Sequence, residues 1–122
     1  MTTAYWMVLV AAFMPYIFTT LSKTYKKLDN EKPRIYLDAI PDNCWQKRMD
    51  WAQKNSMEIF PIFASAIIIG HLANVSQAHL DEAAQLFIAS RILYGVCYYK
   101  NWSKLRTLIW FVGFASIVWI FV

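Results

Sequence analysis

Asn55 and Glu58 stand three residues apart, and Arg48 and Ala52 precede them at helical spacing, so a helix places all four on one face. Arg91, Tyr94 and Tyr98 follow at i, i+3 and i+7 and share a second face. Arg106 opens the last apolar stretch of the chain. These positions offer one acid, one amide, two phenols and two or three cations. That set suits a pocket for a small anionic, peptide-like molecule. Simpler roles compete with it. Glu58 and Arg91 could neutralise each other as a buried pair between helices. Lys100, Lys104 and Arg106 could snorkel to a membrane surface and set topology. Tyr98 and Tyr99 could be interface aromatics. His71 and His79 have no Cys or second His at ligand spacing, so no metal site is expected.

The elements that carry these residues read as membrane helices. The 122 residues suffice for one domain, residues 1-122. They are 58% hydrophobic and 16% charged, whereas a soluble domain runs nearer 45–50% and about 25%. Ala4 to Leu21 and Ile59 to Val75 nearly lack charge, Leu105 to Val122 carries Arg106 alone, and Ala83 to Tyr99 carries Arg91 alone. Each approaches the roughly 20 residues needed to cross a bilayer core. None alternates strictly with period two, which argues against a β-barrel. The expected fold is all-α: an integral membrane four-helix bundle, up-down-up-down, with helices at about 4-22, 52-75, 81-99 and 104-122.

The net charge of +4 alone would suit nucleic acid or an anionic surface. The placement of the charges points to membrane lipid and to no nucleic acid. Basic residues crowd the long first connection, about Ser22 to Asp50, and the third, Lys100 to Lys104. The N-terminus, the second connection and the C-terminus have none. The positive-inside rule therefore expects a multi-pass protein with both termini on the non-cytoplasmic side and the long first loop cytoplasmic. No cation precedes the first apolar stretch, so it reads as a retained helix and not a signal peptide. Pro15 should kink that helix. Gly70, Gly95 and Gly113 lack GxxxG spacing and mark close helix contacts at most. Cys44 and Cys97 read as unpaired thiols. The sequons at Asn74 and Asn101 lie against the membrane and read as chance.

The run Arg48 to Glu58 has the form RxxxAxxNxxE and is followed by Phe60-Pro61-Ile62-Phe63. It resembles the signature of the MAPEG family, the membrane-associated proteins in eicosanoid and glutathione metabolism. The similarity extends to Arg91, Tyr94 and Tyr98 and to Leu105-Arg106, and it covers essentially the whole chain. The resemblance implies a homotrimer, with glutathione as co-substrate held between subunits near the cytoplasmic face. It implies that Asn55 and Glu58 meet the glutathione peptide, Glu58 at its α-amino group. Lys23 and Lys54 match positions where cations approach its carboxylates. Tyr98 would hydrogen-bond within the site, beside Arg91 and Tyr94 on the same helix face. Arg106 matches the arginine that stabilises the thiolate and is the expected catalytic residue. A cation beside a thiol lowers its pKa from about 8.5 and so supplies the nucleophile.

The implied activity is that of a membrane-bound glutathione-dependent transferase or peroxidase, acting on hydrophobic electrophiles from the bilayer. Three positions depart from the family pattern. Lys47 stands where an acid often precedes the arginine, Tyr94 where some enzymes carry His, and Lys23 where the family has arginine. A Lys cannot clamp a carboxylate with two parallel donors. Some family members bind lipids or partner enzymes without catalysis. The alternative is therefore a non-catalytic membrane protein that binds a lipid or partner through the intersubunit cleft. An ion pathway through Glu58 and Arg91 is disfavoured, because only one acid lies deep in a span.

Overall fold

A computed structural model describes residues 1–122 and is entirely helical. Its elements are α1 (Thr3–Ser22), α2 (Pro33–Ala39), α3 (Trp45–Leu72), α4 (Gln77–Lys100) and α5 (Ser103–Phe121). Four of them are long, at 19 to 28 residues. α1 packs mainly on α3 and α5 mainly on α4, while α3 and α4 join the two pairs.

The core follows from residue spacing. On α3, Met49, Ala52, Ser56, Ile59, Phe63, Ala66 and Gly70 are buried at alternating three- and four-residue intervals, forming the inward stripe of an amphipathic helix. Ala4, Ala11, Met14 and Phe18 form the matching stripe on α1. Phe63 of α3 stacks on Phe87 of α4 with ring centroids 4.0 Å apart, at the centre of the buried cluster. Gly95 shows why a small residue is needed on α4. A Cβ there would lie 2.5 Å from the Phe18 ring of α1. The outward faces are apolar too, with Phe13, Ile17, Ile62, Ile68, Leu93, Leu108 and Phe111 exposed. A chain oily inside and out belongs in lipid.

α1, α3 and α5 are long and apolar enough to cross a membrane. α4 is as long, but Asp81, Glu82, Arg91 and Lys100 keep it less apolar. Its Arg91 is 3% exposed and faces the bundle, not lipid.

Several boundaries differ from the sequence expectation. α3 begins at Trp45 and not near residue 52, because the helix continues past the apolar stretch through Lys47, Arg48 and Asp50. α4 begins at Gln77 and not 81, where the Ser76 hydroxyl accepts the His79 N–H and caps the helix. The long first connection, in which no helix was expected before about residue 52, contains α2. Its Pro33 sits at the first helical turn, where a missing N–H costs nothing.

Two side chains of α4 tie off the ends of other helices. The Asp81 carboxylate accepts the Ala4 N–H of α1 at 2.9 Å and the Gln77 amide at 2.6 Å. The His79 ring lies 2.8 Å from the Trp119 carbonyl at the end of α5. Asp81 thus serves the first turn of α1 as well as its own helix, and His79 is a helix-end partner.

Candidate functional site

The polar residues gather at the end of the bundle where α3 and α5 begin and α4 ends. Arg48 fixes that end. Its Nε donates to the Tyr98 carbonyl at 2.7 Å and its Nη2 to the Tyr99 carbonyl at 3.1 Å. These are last-turn acceptors of α4, where the helix dipole has its negative end, and the Tyr98 carbonyl also accepts the Asn101 N–H at 3.2 Å. Arg48 is therefore committed to joining α3 to α4.

Above this clasp runs a continuous stack along α4. The Arg91 guanidinium lies over the Tyr94 ring at 4.1 Å. Tyr94 meets Tyr98 edge to face at 5.2 Å. The Arg106 guanidinium lies over the Tyr98 ring at 4.3 Å. Cation–π contacts at both ends and an aromatic pair between them hold four residues in one line. The i, i+3, i+7 spacing brings the first three together, and the short turn into α5 delivers Arg106 to the same line. Arg106 is half-buried and has no acidic partner, so its charge is available to a ligand.

Arg91 and Glu58 do not form a pair. Arg91 donates from Nη2 to the Ser56 hydroxyl at 3.0 Å, and its Nη1 has no partner. Glu58 is exposed on the outer face of α3, beside Met57 and Ile62, and none of the three ion pairs involves it. The stripe explains why: Ser56 and Ile59 take the inward positions, which turns Glu58 outward. Pro61 adds a second free acceptor there, because it has no N–H for the Met57 carbonyl four residues back.

The remaining expected residues divide. Asn55 sits on α3 between the two faces, and its Oδ1 is buried without a donor. Lys54 turns away from the stack to a second polar cluster. Its Nζ lies 3.2 Å from Asp50 and 3.7 Å from Asp38 of α2. Lys23 is the residue that ends α1, half-buried and in no ion pair. Within one chain, then, Arg91, Tyr94, Tyr98 and Arg106 come together, while Glu58 and Lys54 point elsewhere.

Sequence reasoning missed that second cluster. Asp50 is 0% exposed and faces both Lys54 and Lys47. Lys47, itself buried, donates to the Leu37 carbonyl at 2.9 Å and holds the end of α2 against α3. The signal available was the i, i+3, i+7 spacing of Lys47, Asp50 and Lys54. It went unread because α3 was expected to start later. No group of three or more His, Cys, Asp and Glu side chains is disposed to hold a metal ion.

An all-helical chain with apolar outer faces and an arginine–tyrosine stack at one end of its bundle is an integral membrane protein built around a buried polar site. The family model described as MAPEG family matches residues 3–122, and the chain belongs to that family. No curated protein matches it, and no solved structure does. Membership of this family ties the protein to glutathione and eicosanoid metabolism in general terms.

Proposed function

We infer that the chain is a four-span subunit of a homotrimer and a glutathione-dependent transferase or peroxidase for hydrophobic electrophiles dissolved in the bilayer. The observation that carries this reading is a pair of unspent charges. Arg106 lies over Tyr98 without a carboxylate, and Glu58 stands on an apolar outer face without a cation. A bare acid facing lipid is expensive. A second subunit against α3 would cover it and place its own stack opposite. A tripeptide with an amine at one end and a thiol in the middle then fits, with its amine on Glu58 and the free Met57 carbonyl. Asn55, whose buried Oδ1 lacks a donor, meets the peptide amides.

The chemistry falls to Arg106. Its guanidinium stabilises the thiolate, and Tyr98 keeps it in place from below. The thiolate attacks the electrophile to form a carbon–sulfur bond and expel a leaving group. With a hydroperoxide it attacks the distal oxygen, and a second thiol completes the reduction. Arg91 and Tyr94 position Tyr98. Lys23, the free cation at the end of α1, is placed to meet a glutathione carboxylate from the neighbouring subunit.

One observation favours a second reading, a non-catalytic protein that binds a lipid or partner in the same cleft. Lys54, one of the two cations expected at the glutathione carboxylates, is already engaged by Asp50 and Asp38. Equilibrium binding of glutathione to the detergent-solubilised protein, with its mass measured natively, separates the two. The enzyme reading expects three copies that bind glutathione. Three copies that ignore glutathione support the second reading, and a stable monomer removes the shared cleft.

A further inference from the structure

A polar cleft of about 290 Å³ lies between α2 and the first turns of α3, away from the arginine–tyrosine stack. Arg34, Asp38 and Lys54 form its rim, Gln53 its wall and Asp50 its floor. Asp50 is fully buried, and neither carboxylate oxygen has an aligned hydrogen-bond donor. The two lysines approach it at 3.2 Å and 3.7 Å as charges only. Gln53 Oε1 is also buried without a donor. Three acceptor atoms at the bottom of one cleft thus lack donors, and buried acceptors of this kind are normally satisfied.

The rim has the opposite character. Arg34 is exposed, and Lys54 is 52% exposed, tied to Asp38 only at 3.7 Å. Acceptors lie deep and cations lie at the mouth. Lys47 lies beneath, engaged by Asp50 and the Leu37 carbonyl. An anion alone would meet the rim and leave the floor without donors, a cation alone would do the reverse, and neither suits the cleft. A zwitterion entering amine-first does. The volume, room for about ten waters at ~30 Å³ each, is ample for a small one.

Position narrows the choice. The apolar stretch of α1 ends at Leu21, and the outward apolar face of α3 starts at Met57, so the cleft sits where the bundle leaves the bilayer. On α2, Ile35 is 64% exposed beside otherwise polar neighbours, as expected of a side chain that enters the lipid interface.

We propose that this cleft binds a phosphoethanolamine group. Its primary ammonium donates to Asp50 and Gln53, and its phosphate lies between Arg34 and Lys54. The order of charges matches a phosphatidylethanolamine headgroup, whose ammonium is the free end and whose phosphate carries the acyl chains back to the membrane. Choline, with no N–H, cannot satisfy the floor, and a glycerol headgroup brings no cation. Arg34, Gln53 and Asp50 take no part in the glutathione reading; Lys54 alone is shared, so variants of Arg34 and Asp50 test this cleft separately.

The test uses the full chain in vesicles of phosphatidylcholine with equal small fractions of phosphatidylethanolamine and phosphatidylglycerol. The protein is extracted in mild detergent, and bound lipid is weighed by native mass spectrometry. Phosphatidylethanolamine should be enriched about tenfold over the other two, the effect of one charge-assisted hydrogen bond. Arg34→Glu, an exposed change that the fold tolerates, and Asp50→Asn, which keeps volume but removes the charge, should each abolish the enrichment. A thermal-melt titration with soluble O-phosphoethanolamine separates the sources. A shift with wild type that Arg34→Glu removes, without lipid enrichment, assigns the cleft to the free compound. Equal retention of the choline and ethanolamine lipids overturns the proposal. So does enrichment that survives both variants, and so does the absence of both enrichment and melt shift.

Discussion

Replacing Glu58 by Gln separates a ligand-binding acid from a structural one. A buried ion pair that loses one member typically costs about 3–5 kcal/mol, because the other charge is stranded. Glu58 has no such partner: it is exposed, forms no ion pair and accepts no side-chain hydrogen bond, while Arg91 turns to Ser56. The ligand-free protein should therefore lose no more than about 0.5 kcal/mol, the usual range for surface substitutions, and relief of an unpaired acid near lipid acts only in the stabilising direction. Glutathione changes the comparison. At a concentration 100 times Kd, a ligand stabilises the folded state by about 2.7 kcal/mol. Loss of a charge-assisted hydrogen bond to the ligand amine raises Kd at least about tenfold. The same glutathione concentration should then stabilise Glu58→Gln by only about 1.4 kcal/mol. Denaturant unfolding in detergent micelles, with and without glutathione, measures both values. A ligand-free loss of 3 kcal/mol or more would refute the reasoning, since Glu58 would then have a structural partner. An undiminished glutathione effect would remove Glu58 from the site.

Three further outcomes are expected. Arg48→Ala should cost about 1–2 kcal/mol in the same unfolding assay, through its two bonds to the Tyr98 and Tyr99 carbonyls, and Arg48→Lys should recover at most part of it. Gly95→Ala should destabilise by about 1–2 kcal/mol, since overpacking against Phe18 outweighs the roughly 1 kcal/mol that Ala gains in helix propensity, and adding Phe18→Leu should restore stability. In a variant without Cys44 and Cys97, a cysteine at Ile35 should react with a membrane-impermeant label only from the cytoplasmic side and one added after Val122 only from the other side; the reverse would overturn the charge-based orientation.

The sequence carried more of the arginine–tyrosine face than of its surroundings. Arg91, Tyr94 and Tyr98 recur at helical spacing, and any helix there must align them. Whether Arg91 meets Glu58 depends on the rotation of α3 about its axis, and the inward stripe through Ser56 and Ile59 turns Glu58 out. Hydropathy marked the apolar stretches but not where helices end. α3 runs through Lys47, Arg48 and Asp50 beyond its apolar part, and its missed first turns hid the Asp50 cluster. α2 is seven residues long, too short for a periodic signal, although Pro33 was a start signal that also reads as a break. The helix-end partners Asp81 and His79 act on residues 77 and 40 positions away in the chain, a distance at which local pattern says nothing.

Arg106, held over Tyr98, is proposed to generate a glutathione thiolate, and near-ultraviolet absorbance of the bound thiolate at neutral pH reads this out. Each unit of thiol pKa depression corresponds to about 1.4 kcal/mol of preference for the ionised form. Wild-type protein titrated with glutathione should develop the thiolate band. Arg106→Ser should lose the band while its glutathione affinity changes far less, since the amine and peptide contacts lie on α3. A wild-type protein that binds glutathione without a thiolate band, or an Arg106→Ser variant that keeps the band, would contradict the account.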